Sequence, residues 1–69
     1  MGYKIKDKRE AIGMSQTTLA RRSGVSRGMI YLLESVPGTV TTTKTLQKIA
    51  NALGTSISDI FFEDDVQPT

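Results

Sequence analysis

The 69-residue chain contains no cysteine and no histidine. Without cysteine, neither a disulfide nor a thiolate metal site can brace a small fold. Without histidine, the commonest general base and the commonest metal ligand are both missing. There is no glycine-rich phosphate loop, and the carboxylates are scattered among helix ends and the tail. An enzyme is therefore not expected, and neither a cofactor nor a metal site is expected. No apolar run approaches the roughly 20 residues needed to cross a bilayer. The lysines near the N-terminus are not followed by the apolar segment of a signal peptide. Cytoplasmic residence is the default expectation, and the lack of cysteine is compatible with it.

A domain of this size buries a limited share of its surface. Stability must come from packed apolar side chains, with room for help from a partner chain. The net charge is only +2, but it is unevenly spread. Residues 1–34 carry seven basic side chains (Lys4, Lys6, Lys8, Arg9, Arg21, Arg22, Arg27) against three acidic ones (Asp7, Glu10, Glu34). Residues 35–69 carry Lys44 and Lys48 against Asp59, Glu63, Asp64 and Asp65. A basic half and an acidic end are compatible with one face turned toward a polyanion, or with ordinary solvated charge.

The apolar pattern is helical throughout, with no sustained period-2 alternation. A first helix is predicted from about Tyr3 to Ile12, with Ile5, Arg9 and Ile12 on one face and Gly13 as its stop. A second helix starts after Ser15, which can cap its first turn, and ends at Gly24. A third starts after Ser26, again a plausible cap, and runs to about Glu34 with Ile30 and Leu33 inward. Ser35 to Thr43, with Pro37-Gly38 inside it, reads as a loop. A fourth helix spans about Lys44 to Leu53. Its Leu46, Ile49, Ala50 and Leu53 follow the i, i+3, i+4, i+7 rule, and Gly54 ends it. Ser56-Ile57-Ser58-Asp59 resembles a capping box for a short last helix, with Ile57, Ile60 and Phe61 closing the core. The sum is a compact all-α bundle of five helices over residues 1–62, followed by an acidic, flexible tail over 63–69.

The informative stretch is QTTLARRSGVSRGMIYLLE, Gln16 to Glu34. Two short helices separated by Ser23-Gly24-Val25-Ser26 form a helix-turn-helix pattern. Ala20 is small where the helices cross, and Gly24 permits the tight turn. Leu19, Val25, Ile30 and Leu33 hold the pair together and onto the other helices.

The frame Ser15-Gln16, Leu19-Ala20, Gly24-Val25-Ser26, Ile30, Leu33-Glu34 resembles the Cro/CI-type helix-turn-helix family, which includes lambdoid phage repressors. TLQKIANALG (Thr45 to Gly54) and Ser58-Asp59-Ile60-Phe61 resemble that family's fourth and fifth helices. The resemblance implies a lambda-repressor-like DNA-binding domain, with its helix-turn-helix formed by helices two and three. It implies that helix three lies in the major groove and helix two crosses the backbone. The outward residues of helix three would then be Arg27, Gly28, Tyr31 and Leu32, with Met29 at the margin. Arg27 is the candidate for base readout through guanine O6 and N7; the plainer alternative is a phosphate contact or a free surface arginine. Gln16 is a candidate phosphate contact that could also brace helix three. Thr17, Ser26, Thr43 and Lys44 stand at helix starts, where amides and dipole favour phosphate. The family often pairs an arginine of helix one with the glutamate ending helix three, so Arg9 and Glu34 are expected as a structural ion pair.

The resemblance further implies a transcriptional regulator, most simply a repressor, acting as a homodimer on a pseudo-palindromic double-stranded operator. The last helix, with Phe61 or Phe62, is the expected dimer surface, one phenylalanine lying in the core and the other exposed. Three departures from the family stand out. Gly28, Met29, Tyr31 and Leu32 replace the polar readers common on helix three, so readout would be thin, T-rich or dependent on DNA shape. The loop after Glu34 lacks the usual basic residues, and Ser23 sits where an apolar residue is usual. The apolar outer face also leaves open a protein-interaction or antitoxin-type module that keeps the fold with weak DNA readout.

Overall fold

The computed structural model of the chain describes residues 2–36 and 38–62. The elements, in order, are β1 (Gly2–Tyr3), α1 (Ile5–Ala11), α2 (Gln16–Ser23), α3 (Arg27–Ser35), α4 (Thr43–Leu53), α5 (Ile57–Ile60) and β2 (Phe61–Phe62). The architecture is all-α, with five helices around one core. The expected tail over 63–69, the placement of Pro37 and the side chains of Phe61 and Phe62 lie outside the described residues.

Local chemistry accounts for the helix starts. The Ser15 hydroxyl accepts from the Thr18 amide at 3.0 Å, and the Ser26 hydroxyl accepts from the Met29 amide at 3.1 Å. Both are N-caps, each satisfying one amide that the helical ladder cannot reach. Helix α4 starts one residue earlier than its apolar periodicity indicates. Thr42 is its cap, accepting from the Thr45 amide at 3.1 Å. At α5 one half of the capping box forms: Asp59 Oδ2 accepts from the Ser56 amide at 3.4 Å and from the Ser56 hydroxyl at 3.0 Å, while the Asp59 amide bonds Ser56 O at 3.0 Å instead of the hydroxyl.

The first helix differs from the expectation at both ends. Tyr3 lies in a strand rather than in α1, and Ile12 is 55% exposed rather than on the core face. The cause is the way α1 stops. Gly13 adopts φ +69, the Gly13 amide bonds Glu10 O at 3.1 Å, and the Met14 amide reaches back to Arg9 O at 2.9 Å. This pair of bonds reverses the chain at the helix end. It swings Ile12 outward and delivers Met14 to the core.

The core comprises Ile5, Met14, Leu19, Val25, Ile30, Leu33, Leu46, Ile49, Ala50, Leu53 and Ile60. Ile5, Leu19, Ile30, Ile49 and Ile60 are fully enclosed, one from each helix. At about 1.5–3 kcal/mol for each side chain of this kind, these five anchor every helix to the same centre. Helix α2 packs chiefly on α4 and α3, so it is held from two sides.

The short strands are an addition that the apolar pattern does not announce. β1 and β2 pair antiparallel, Gly2 opposite Phe62 and Tyr3 opposite Phe61, and the Lys4 amide bonds Ile60 O. They fasten the start of α1 to the end of α5. The Tyr3 hydroxyl also donates to Thr39 O at 3.1 Å, so the N-terminal segment holds the α3–α4 loop as well. The Thr39 hydroxyl in turn bonds Val36 O at 2.7 Å and Leu32 O at 3.2 Å, closing the last turn of α3.

Candidate nucleic-acid interface

Helices α2 and α3 are joined through Gly24, which adopts φ 75, ψ 12 while its amide bonds Ala20 O at 2.9 Å. A side chain in this left-handed conformation would be strained, so glycine is what makes so short a turn feasible. Ser23, buried in the turn, solves its own polarity. Its hydroxyl accepts from the Val25 amide at 3.1 Å and faces Ala20 O at 3.4 Å. The serine that departs from the apolar habit of this position therefore ties the turn together.

A buried polar network fixes how the two helices sit on α1. Arg9 Nε donates to Glu34 Oε2 at 2.9 Å, and Arg9 Nη2 donates to Oε1 at 2.9 Å. This is a two-pronged guanidinium–carboxylate pair, the strong geometry for such groups. The third direction of the guanidinium is used too, Nη1 donating to Met14 O at 2.8 Å. Gln16 Nε2 adds a bond to Glu34 Oε1 at 3.1 Å. The hydrogen bonds to Glu34 raise the Arg9 guanidinium above its ordinary pKa, outweighing the opposing effect of its burial. One carboxylate at the end of α3 therefore holds α1 and the first residue of α2 together.

The remaining candidate residues are placed as follows. Arg27, Gly28, Tyr31 and Leu32 are exposed on α3, opposite the buried Ile30 and Leu33. Met29 is half-buried and packs partly on the core. Thr17, Ser26, Thr43 and Lys44 are exposed, and Gln16 is half-buried. Gln16 and Thr17, Arg27 and Gly28, and Thr43 and Lys44 are the first two residues of α2, α3 and α4. The capping hydroxyls satisfy the amide of the third residue in each case, so these pairs carry the amides the helical ladder leaves open. None of the three helices has an acidic residue in its first turn. The positive ends of their dipoles are thus not neutralised by their own side chains.

Several features escape the apolar periodicity. Thr42 is a cap whose signal was present, a threonine directly before the periodic run. Arg21 and Arg22 stand exposed at the end of α2 and, with Thr18, line an open depression of about 300 Å³. Among the described residues, no group of histidine, cysteine or carboxylate side chains is placed to hold a metal ion. No described helix is long and apolar enough to cross a membrane.

Comparison with known proteins agrees with this geometry. A helix-turn-helix family model matches residues 5–60, from the first residue of α1 to the last of α5. Neither the curated proteins nor the solved structures yield a match. A match over most of the chain, on a fold whose second and third helices are joined through a left-handed glycine, places the chain in the Cro/CI-type helix-turn-helix family of DNA-binding transcription regulators.

Proposed function

We propose that the chain is a sequence-specific repressor that binds a pseudo-palindromic operator in duplex DNA as a homodimer in the cytoplasm. The observation that carries this reading is the presentation of α3. Its inner stripe is locked into the core, while Arg27, Gly28, Tyr31 and Leu32 stand outward along one helix. In the docking mode of this motif, α3 enters the major groove and its N-terminal residues meet base edges. Arg27, the first residue of α3, reads guanine through two hydrogen bonds, worth about 1–3 kcal/mol of discrimination.

The N-termini of α2 and α4 meet phosphates through Gln16, Thr17, Thr43 and Lys44, with Ser26 at the start of α3 and Met29 beside the reading face. Unneutralised helix N-termini support these contacts. Gln16 then has two tasks, since its amide group also holds Glu34. Two half-sites one helical turn apart require a dimer.

The test is selection from a random duplex library at two salt concentrations, for the wild-type chain and for Arg27→Ala. The expected result is an enriched palindrome, a steep loss of affinity with salt, and relaxed base preference at one position per half-site in the variant. Salt-insensitive behaviour with no enriched sequence would refute the reading.

A second reading has its own observation. Tyr31, Leu32, Val36 and Val40 are 54%, 41%, 45% and 82% exposed, apolar side chains on the surface of α3 and of the following loop. That surface favours a protein partner, as in an antitoxin-type module. Under this reading the same selection enriches nothing.

A further inference from the structure

Gly28 is a glycine that the fold does not require. Gly13, Gly24, Gly38 and Gly54 all have positive φ, where a side chain would be strained; Gly28 is not among them. It is the second residue of α3, where an L side chain is readily accommodated. Nor does packing require it, because a Cβ built on Gly28 would meet nothing within 4 Å. Within a helix, glycine is close to the poorest choice after proline, since it loses the most backbone freedom on folding. The chain thus bears a cost at Gly28 for which nothing inside the described molecule compensates.

The surroundings of Gly28 indicate what does. Residues 28, 31 and 32 are neighbours on one helical face, being separated by three and four positions. Tyr31 and Leu32 are both substantially exposed and lie one turn further along the same face, neither coming within 4 Å of a Cβ built on Gly28. Arg27 adjoins it on the N-terminal side. The result is a notch in the row of outward side chains, open at its sides and floored by backbone, with apolar side chains one turn on.

We propose that this notch seats the C5-methyl group of a thymine, and that Gly28 is a specificity-determining residue because it lacks a side chain. The proposal rests on the DNA-binding reading above and adds to it the identity of a base. Glycine serves where a backbone and a ligand approach closely. In the major groove, thymine is the base marked by a methyl group, and apolar side chains are its natural neighbours. Readout at this position comes from shape: a methyl fills the notch, and a Cβ on residue 28 occupies the space that methyl needs. This accounts for a reading face with few hydrogen-bonding groups. Leu32 cannot donate a hydrogen bond, but it can line a methyl pocket.

The experiment uses the wild-type chain and Gly28→Ala. Each is selected against a random duplex library. The duplex enriched by the wild type is then resynthesised with uracil in place of each thymine in turn, which removes the methyl and nothing else. Thermal unfolding is followed for both proteins. Gly28→Ala is expected to melt about 4–8 °C higher, because alanine is the better helix former and meets no neighbour. Its affinity for the wild-type duplex is expected to fall about tenfold or more, the loss within reach of one spoiled base contact. Uracil at one position per half-site is expected to weaken wild-type binding about three- to fourfold, the value of one buried methyl-sized group. The same replacement is expected to leave Gly28→Ala unaffected.

A variant that melts higher and binds as well as the wild type would overturn the proposal. So would a wild-type chain indifferent to uracil at every thymine, or a variant that melts lower. If the wild type enriches no duplex at all, the DNA-binding reading itself fails, and that outcome is distinguishable because the uracil comparison is never reached.

Discussion

Glu34 is a polar residue at which a single change should cost the fold heavily. Its carboxylate is 2% exposed, and the Arg9 side chain paired with it is 10% exposed. The carboxylate accepts two bonds from Arg9 and one from Gln16. In Glu34→Ala all three are lost. The Arg9 guanidinium then keeps its bond to Met14 O but loses the carboxylate that it is paired with. Breaking a buried pair by removing one partner costs about 3–5 kcal/mol. At about 0.05–0.15 kcal/mol per residue, a chain of this length is stable by about 3–10 kcal/mol. The variant should therefore lose a third or more of its stability, and at the lower end of that range it would be largely unfolded at 25 °C.

The double variant Arg9→Met, Glu34→Leu separates the cost of an unpaired charge from the value of the pair. Apolar side chains of similar volume often replace a buried pair without loss. The double variant should therefore recover most of what Glu34→Ala gives up, within about 1–2 kcal/mol of wild type. Urea unfolding followed by circular dichroism measures all three proteins. With a slope of about 1 kcal/mol per molar urea, the single variant's midpoint should drop by about 3 M or more, or vanish. Added salt should change little, because a pair this enclosed is poorly screened. A Glu34→Ala cost below about 1 kcal/mol, as an exposed pair would give, would refute the reasoning. A double variant no more stable than the single one would do the same.

Asp59 gives a pH-dependent counterpart. The Thr55 hydroxyl, 2.6 Å away, followed by Ser56, holds its carboxyl below the ordinary range. A lowered folded-state pKa contributes stability above the unfolded value, and that contribution is lost as pH falls through the folded value. Asp59→Asn should therefore flatten the acid side of the stability–pH curve below about pH 4; an unchanged acid limb would count against the box. Gly24→Ala places a side chain at φ 75. It should destabilise the chain by about 1–2 kcal/mol in thermal melts, the cost of a left-handed residue with a Cβ. Ser26→Ala removes the cap of α3 and should cost about 1 kcal/mol by the same measurement. If either is neutral, the turn is not held as described.

The parts legible in the sequence are those decided within a few residues. Ser15 and Ser26 cap helices because a hydroxyl reaches an amide three residues on. The apolar spacing of Leu46, Ile49, Ala50 and Leu53 buries one face of α4 wherever the chain later folds. Periodicity places Ile12 inward because it carries no information about how the helix stops. The turn at Gly13 ends α1 one residue too early for Ile12 to face inward. The β1–β2 pair and the Tyr3–Thr39 bond join segments far apart in the chain, and two-residue strands have no period to detect. Among the candidate contact residues, only the outward side of α3 follows from spacing, as the complement of Ile30 and Leu33. The pairing of Arg9 with Glu34 follows from family resemblance alone, since nothing in the spacing of residues 25 apart implies it.

The network around Glu34 also bears on how recognition and stability are divided. Gln16 is the first residue of α2, where a phosphate would sit, yet one of its amide hydrogens is given to Glu34. The bond holds the side chain in one orientation before any ligand arrives, so less side-chain freedom is lost on binding. Arg9 sets the position of Glu34, Glu34 sets that of Gln16, and the capping of Met29 by Ser26 sets the first turn of α3. Removing the Gln16 side chain should then weaken DNA binding by more than it weakens the fold. Removing Arg9 should weaken both, because it releases the carboxylate on which Gln16 rests. The two classes of residue are distinguished by whether binding and stability fall together. Under the proposal for Gly28, that residue forms a third class, in which the two are expected to move in opposite directions.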